Sequence, residues 1–273
     1  MDEDIHEYES EDVTVAFDSN RCIHARECVR GLPAVFDADR RPWIDPEAAD
    51  ADEIAVVVER CPTGALQYER HDDGAAEEPP TRNTVTVVAD GPLYLRGDIA
   101  LETPDGDTLL TDTRVGLCRC GHSENKPLCD NSHERVFEAA GTPPETAAVV
   151  DDGGDGDGET AEADDGDGER LTVRLSKDGP FVLDGSYDLR ERADDVDAQE
   201  GGALCRCGQS GGKPFCDRLS SYPTDSTATS LWPVGRQAVL RRDTRGGRVH
   251  DGARRVSAAI GTGFIGPNVE GEV

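Results

Sequence analysis

Lysine is almost missing from this 273-residue chain: Lys126, Lys177 and Lys213 are its only three. Acidic residues number 57 against 28 basic ones, giving a formal net charge of -29. That balance excludes a reader of nucleic-acid backbones, which needs clustered Lys and Arg to displace counterions. Aromatic residues make up 5% and apolar residues 36%, too little for one large core, so several small or metal-stapled cores are expected. No stretch approaches the roughly 18 apolar residues of a membrane span. The acidic opening Met1 to Asp12 lacks the basic and apolar regions of a secretory signal, so the chain reads as cytoplasmic. There is no Gly-rich nucleotide loop after a strand and no nucleophile elbow, which points to a carrier and not an enzyme.

What is abundant is Asp, with Arg dominating the few cations. This bias fits a halophile, because at molar salt the Debye length shrinks to about 3 Å and the self-repulsion of such a surface is screened. A basic docking face on a partner would complement the charge. Nine cysteines, an odd number that includes two Cys-x-Cys pairs, are expected as ligands or redox groups and not as disulfides.

Residues 13–70 read as one unit. Val13, Val15 and Phe17 alternate as in a strand, Asp50 to Arg60 is helical, and Ala65 to Tyr68 closes it as a second strand. Residues 71–82, polar and carrying Pro79-Pro80, read as a linker. A unit at 83–140 opens on the strand-like Thr84 to Val88. An acidic tether occupies 145–170, with ten acidic residues in the nineteen from 151 to 169; such a composition does not offset the entropy of ordering. A unit at 171–218 then repeats the earlier one. Asp90-Gly-Pro-Leu-Tyr-Leu-Arg-Gly97 returns as Asp178-Gly-Pro-Phe-Val-Leu-Asp-Gly185, and Cys118-Arg-Cys-Gly121 returns as Cys205-Arg-Cys-Gly208. Offsets of 88 and 87 indicate a duplicated domain. The Asp-Gly-Pro element predicts a turn into a strand, with Gly97 or Gly185 at a bulge.

Cys118, Cys120, Cys129 and His133 put three thiols and an imidazole within sixteen residues. Soft thiolates with imidazole suit iron-sulfur clusters or zinc, and the Cys-x-Cys spacing favours iron. Asp130 is placed to hydrogen-bond around the site, and Ser123 and Pro127 to shape the loop. His122 reads as a solvated loop residue. These residues resemble the CDGSH iron-sulfur domain family, whose pattern is matched at every defined position except Asn131, which replaces glycine. Asn is the non-glycine residue that best tolerates positive φ. The resemblance implies a 2Fe-2S cluster on Cys118, Cys120, Cys129 and His133, with redox or cluster-transfer activity. A solvent-facing His133 would make such a site sensitive to pH between 8 and 5.5.

The second copy keeps Cys205, Cys207, Ser210, Pro214, Cys216 and Asp217, but Ser220 stands where the family carries its histidine, which leaves three ligands. One C inserted after an Asp codon converts a run for Asp-Gly-Ser-His-Arg into the Asp217-Arg-Leu-Ser-Ser221 of this chain. Residues 219–273 hold seven arginines and five acidic residues, a local balance of +2, so this atypical tail is expected to be either frame-shifted or a true basic, Gly-rich tail.

Near the N-terminus, Cys22-Ile-His24-Ala25-Arg-Glu-Cys28 precedes Cys61-Pro-Thr-Gly-Ala-Leu66. Residues 13–68 are similar to the divergent single-cluster ferredoxin family, with Ala25 where a second cysteine belongs. The resemblance implies a 4Fe-4S cluster. Without that cysteine, either a 3Fe-4S cluster on Cys22, Cys28 and Cys61 or a fourth bond from His24 is expected. Phe36 and Trp43 read as core residues.

The expected architecture is α+β: a ferredoxin-like single-cluster domain followed by two small β-rich CDGSH-type domains that form an internal pseudo-dimer. The expected function is one-electron transfer to a redox partner protein. The alternatives are cluster storage or delivery to an apo-protein, and a zinc-bound interaction module; neither membrane nor nucleic acid is expected as a partner.

Overall fold

Strands dominate the computed structural model, which describes residues 4–141, 169–192 and 195–217. The acidic stretch 151–168 and the tail 219–273 lie outside the described residues, and so does Ser220. Every described residue belongs to one contact unit, Met1–Val239, while the second, Leu240–Val273, lies wholly outside them. Among the described residues no helix is long and apolar enough to cross a membrane.

The N-terminal domain is a three-stranded antiparallel sheet in the order β1 (Ile5–Glu9), β2 (Val13–Asp18), β3 (Leu66–Arg70). In β2, Val13 and Val15 face the core while Thr14 and Ala16 are half-covered, the period-two pattern of a half-buried strand. The sequence places the unit's start at Val13, but β1 precedes it and pairs with β2 from Ile5↔Asp18 to Glu9↔Thr14. The short α1 (Glu27–Gly31) carries Cys28. Helix α2 (Ala51–Val58) begins after Asp50, has Asp52 and Glu53 in its first turn, and buries Ala51, Ile54, Ala55, Val57 and Val58. That is the i, i+3, i+4, i+7 stripe of a helix on a sheet, and acidic residues near its start complement the helix dipole. Phe36 is fully buried and Trp43 packs edge-on against Phe17, with ring centroids 4.8 Å apart.

The two repeats do not form separate cores. Their strands β4 (Thr84–Val87), β5 (Leu93–Glu102), β6 (Thr108–Leu117), β7 (Leu171–Leu175), β8 (Phe181–Arg192) and β9 (Asp195–Leu204) make one six-stranded sheet. Their apolar residues, Val85 through Leu117 and Leu171 through Leu204, form a single cluster. Each long strand serves both repeats. β5 pairs antiparallel with β4 over Leu93 to Arg96, then parallel with β7 over Ile99 to Glu102. β8 mirrors this, antiparallel to β7 over Phe181 to Asp184 and parallel to β4 over Asp188 to Arg190. One register shift in the β5–β6 ladder falls at Gly97 and one in the β8–β9 ladder at Gly185, where the bulge was expected. At Gly97 a side chain would collide with Asn83, whose amide donates to the carbonyls of Glu169 (2.8 Å) and Ser186 (3.1 Å).

The segment 71–82, expected as a mere linker, is locked down. Glu77 is buried and pairs with Arg114 of β6 at 2.9 Å, with side chains 2% and 1% exposed. The Arg114 guanidinium also donates to the carbonyls of Val58, Cys61 and Leu66, and Arg96 donates to that of Glu59 at 2.8 Å. Two arginines of the first repeat thus cap the C-terminal end of α2, where unpaired carbonyls and the helix dipole favour cations. Burial works against the Arg114 charge, but Glu77 outweighs it and holds the pKa above its usual value.

A second ion pair crosses the same seam. Arg21 meets Asp112 at 2.7 Å and donates to the Thr63 and Arg114 carbonyls. Burial alone would raise the Asp112 carboxyl, but Arg21 and Arg114 hold it below the ordinary range. Its folded pKa is therefore depressed, so its contribution is complete above the unfolded value of about 3.9 and is lost as pH falls through the folded value. Urea unfolding of the native chain should weaken with acid more steeply than that of Asp112→Asn below about pH 4; parallel curves would remove Asp112 from the acid response.

Candidate metal centres

The first CDGSH-type loop leaves the end of β6 and returns beside it. Cys118 N–H donates to the Pro127 carbonyl (2.9 Å) and Cys129 N–H to that of Gly116 (3.0 Å). Ser123 Oγ donates to the Leu128 carbonyl at 2.7 Å and accepts from Asn125 N–H at 3.0 Å. Asp130 accepts from Glu124 N–H (2.8 Å) and Ser132 N–H (3.0 Å). Burial pushes that carboxyl up, but these donors outweigh it and the net shift is down. Asn131 adopts φ 70°, the left-handed conformation the motif requires. His133 then opens the one-turn helix α3 (His133–Val136).

The donors come in two pairs. Cys118 and Cys120 sulfurs lie 3.6 Å apart, close to the roughly 3.8 Å that two thiolates span on a tetrahedral metal with 2.3 Å bonds. Cys129 Sγ is 3.3 Å from His133 Nδ1. Among the described residues, no three His, Cys, Asp or Glu side chains gather as a site for one metal ion. Two soft-donor pairs of this kind would fit a group with two metal atoms, one pair to each. The contact between the two thiols pulls Cys118 down and pushes Cys120 up, so they titrate as a pair. Burial drives Cys129 up to about 12 and lowers His133, favouring the neutral imidazole that metals bind.

The second repeat rebuilds this loop. Cys205 and Cys207 sulfurs are 3.7 Å apart, Cys216 N–H donates to the Ala203 carbonyl at 2.8 Å, and Ser210 Oγ donates to the Phe215 carbonyl at 2.6 Å. Asp217 accepts from Gly211 N–H at 2.7 Å, as Asp130 does from Glu124. The two Cys-x-Cys turns touch. A Cβ on Gly121 would come within 2.7 Å of the Cys207 carbonyl oxygen, and one on Gly208 within 2.7 Å of that of Cys120.

In the N-terminal domain, Cys28 and Cys61 pack against the core and Cys22 lies in the loop after β2. Burial pushes Cys22 and Cys28 up, Cys28 to about 12, and the neighbouring Cys61 charge adds to both. His24 is exposed at φ 54°, with Nδ1 3.9 Å from Cys22 Sγ, a placement compatible with either role expected of it. The Cys61-Pro-Thr-Gly64 turn needs its glycine, because a Cβ there would strike Arg21 and be 2.5 Å from the Arg114 carbonyl.

Residues 8–71 match the family model of a divergent 4Fe-4S mono-cluster, and residues 90–134 and 178–219 each match the CDGSH-type iron-binding zinc finger. The chain carries one domain that matches the first of these family models and two that match the second. Its mono-cluster and CDGSH domains mark it as an iron-sulfur or iron-binding protein. The uncharacterized protein YjdI of Escherichia coli K12 is 41% identical over 64 residues, which span 23% of this chain and 83% of YjdI. The YjdI of Escherichia coli O157:H7 matches to the same extent. No solved structure matches the chain significantly.

Sequence reasoning missed the seam between mono-cluster and CDGSH domains: Arg21, Glu77, Asp112 and Arg114. It also missed the contacts of Asn131 and Asn125 with the Cys22 loop. Asn131 Nδ2 donates to the Ile23 carbonyl at 2.5 Å and Asn125 Nδ2 to that of Asn20 at 2.7 Å. Ile23, Val88, Tyr94 and Cys129 form a small buried cluster there. Burial pushes the Tyr94 hydroxyl up, and charge at Cys129 and then Cys61 adds to it. The signal available was the mismatch of Asn131 with the family glycine.

Proposed function

We propose that this chain is a cytoplasmic one-electron carrier, and not an enzyme, built for a salt-rich interior. Cys118, Cys120, Cys129 and His133 would hold a 2Fe-2S cluster, and Cys22, Cys28 and Cys61 a 3Fe-4S or, with His24, a 4Fe-4S cluster. Cys205, Cys207 and Cys216 supply three donors of a further site. When bound, such clusters supply reversible one-electron chemistry. The chain's own residues do the rest: buried thiols give soft donors, Asp130 and Ser123 fix the loop, and the Ile23–Tyr94–Cys129 cluster excludes water between two centres. The proximity of those centres, joined through Asn131 and Ile23, is the observation that carries the reading. The recipient is a redox protein with a basic face, complementary to the net charge of -29. A second reading, cluster storage or delivery to an apo-protein, is favoured by the half-exposed position of His133.

Iron and acid-labile sulfide analysis of anaerobically purified protein should find both elements, with Cys129→Ala losing the iron of the first CDGSH site. Zinc without sulfide would sink the proposal in favour of an interaction module. Oxidised protein showing a paramagnetic centre identifies 3Fe-4S in the N-terminal domain; silence identifies 4Fe-4S. Transfer of the cluster to an apo-ferredoxin would select the delivery reading.

A further inference from the structure

We infer that Asn131 is a positioning residue that latches the two candidate metal centres together, so that order in the CDGSH loop is transmitted to the Cys22 loop. This rests on the proposed occupation of both. Asn131 lies between the paired donors Cys129 and His133, and its amide reaches the Ile23 carbonyl, in the peptide between Cys22 and His24. Asn125, from the same loop, takes the Asn20 carbonyl on the other side of Cys22. Between these two hydrogen bonds Ile23 is buried against Cys129 and Tyr94. One loop is therefore pinned to the other at two points around a dry contact, and neither asparagine offers a thiol or imidazole to a metal.

The substitution that sets this chain apart from the CDGSH pattern thereby acquires a role. Glycine at 131 would satisfy the φ of 70° and leave Cys129 and His133 in place, but it has no amide to give. Because coupling between two sites is reciprocal, each loop, when ordered, lowers the entropy lost on ordering the other.

The experiment uses the full chain, purified anaerobically, with Asn131→Gly and Asn131→Asp. Asp keeps the tolerance for positive φ but cannot donate. Iron loss to excess chelator is followed separately at the N-terminal centre by its paramagnetic or visible signature, and amide hydrogen exchange is read in peptides spanning residues 20–26. Both variants should release iron from the N-terminal centre, in which no residue has changed, about fivefold faster, as expected for one hydrogen bond. Exchange in 20–26 should rise by a similar factor. Unchanged N-terminal release and exchange in either variant would overturn the latch. A chain holding no iron would overturn the proposed function alone, since exchange in 20–26 still reads the latch.

Discussion

Replacing Arg114 with Met will lower the unfolding free energy by about 3–5 kcal/mol, the range for breaking a buried ion pair from one side. Glu77 would be left charged at 2% exposure, and the carbonyls of Val58, Cys61 and Leu66 would lose their donor. The substitution keeps most of the volume, so the loss reports charge and hydrogen bonding more than a cavity. Urea unfolding followed by circular dichroism measures it. A change below about 1 kcal/mol, typical of an exposed pair, would mean that the 71–82 segment is not anchored through Glu77. Because Arg114 also binds the Cys61 carbonyl, the variant should lose iron from the N-terminal domain before unfolding as a whole.

Gly121→Ala should be strongly destabilising. At φ 81° the new Cβ would stand 2.7 Å from the Cys207 carbonyl oxygen and 3.0 Å from its Cα, and backbone has no flexible end to yield. Left-handed strain and overpacking together give about 2–4 kcal/mol. Gly106→Ala is the control: its φ of 93° imposes comparable strain, but nothing lies within 4 Å of the added carbon. Thermal unfolding of the two variants separates contact from strain, and equal losses would refute the close approach of the two turns. Gly208→Ala strikes the same contact from the other side, so the double variant should lose less than the sum of its parts.

Local chemistry made much of this molecule legible. The alternation in Val13 to Phe17, the stripe from Ala51 to Val58 and the Asp-Gly-Pro turns each announced an element, because period and turn geometry are properties of neighbours in sequence. The donor spacing of Cys118 to His133 did the same for the first site. Strand β1 escaped notice because Ile5-His-Glu-Tyr-Glu is mostly exposed and owes its conformation to pairing with β2. Glu77 was read as linker because burial of a carboxylate depends on an arginine 37 residues away. Asn131 was read as a tolerated oddity because its partner, Ile23, is 108 residues distant. No local pattern encodes such pairs. The merging of two expected cores into one is of the same kind, since either repeat alone shows the same alternation.

The exchange of partners at Gly97 and Gly185 makes each repeat a structural dependant of the other. With β7 lying along β5 and β8 along β4, each copy supplies the other's missing sheet edge. The second copy thus completes the sheet of the first independently of what its own loop binds. Removing that copy would therefore expose the edges of β5 and β4 that it now covers, whatever chemistry its own loop retains.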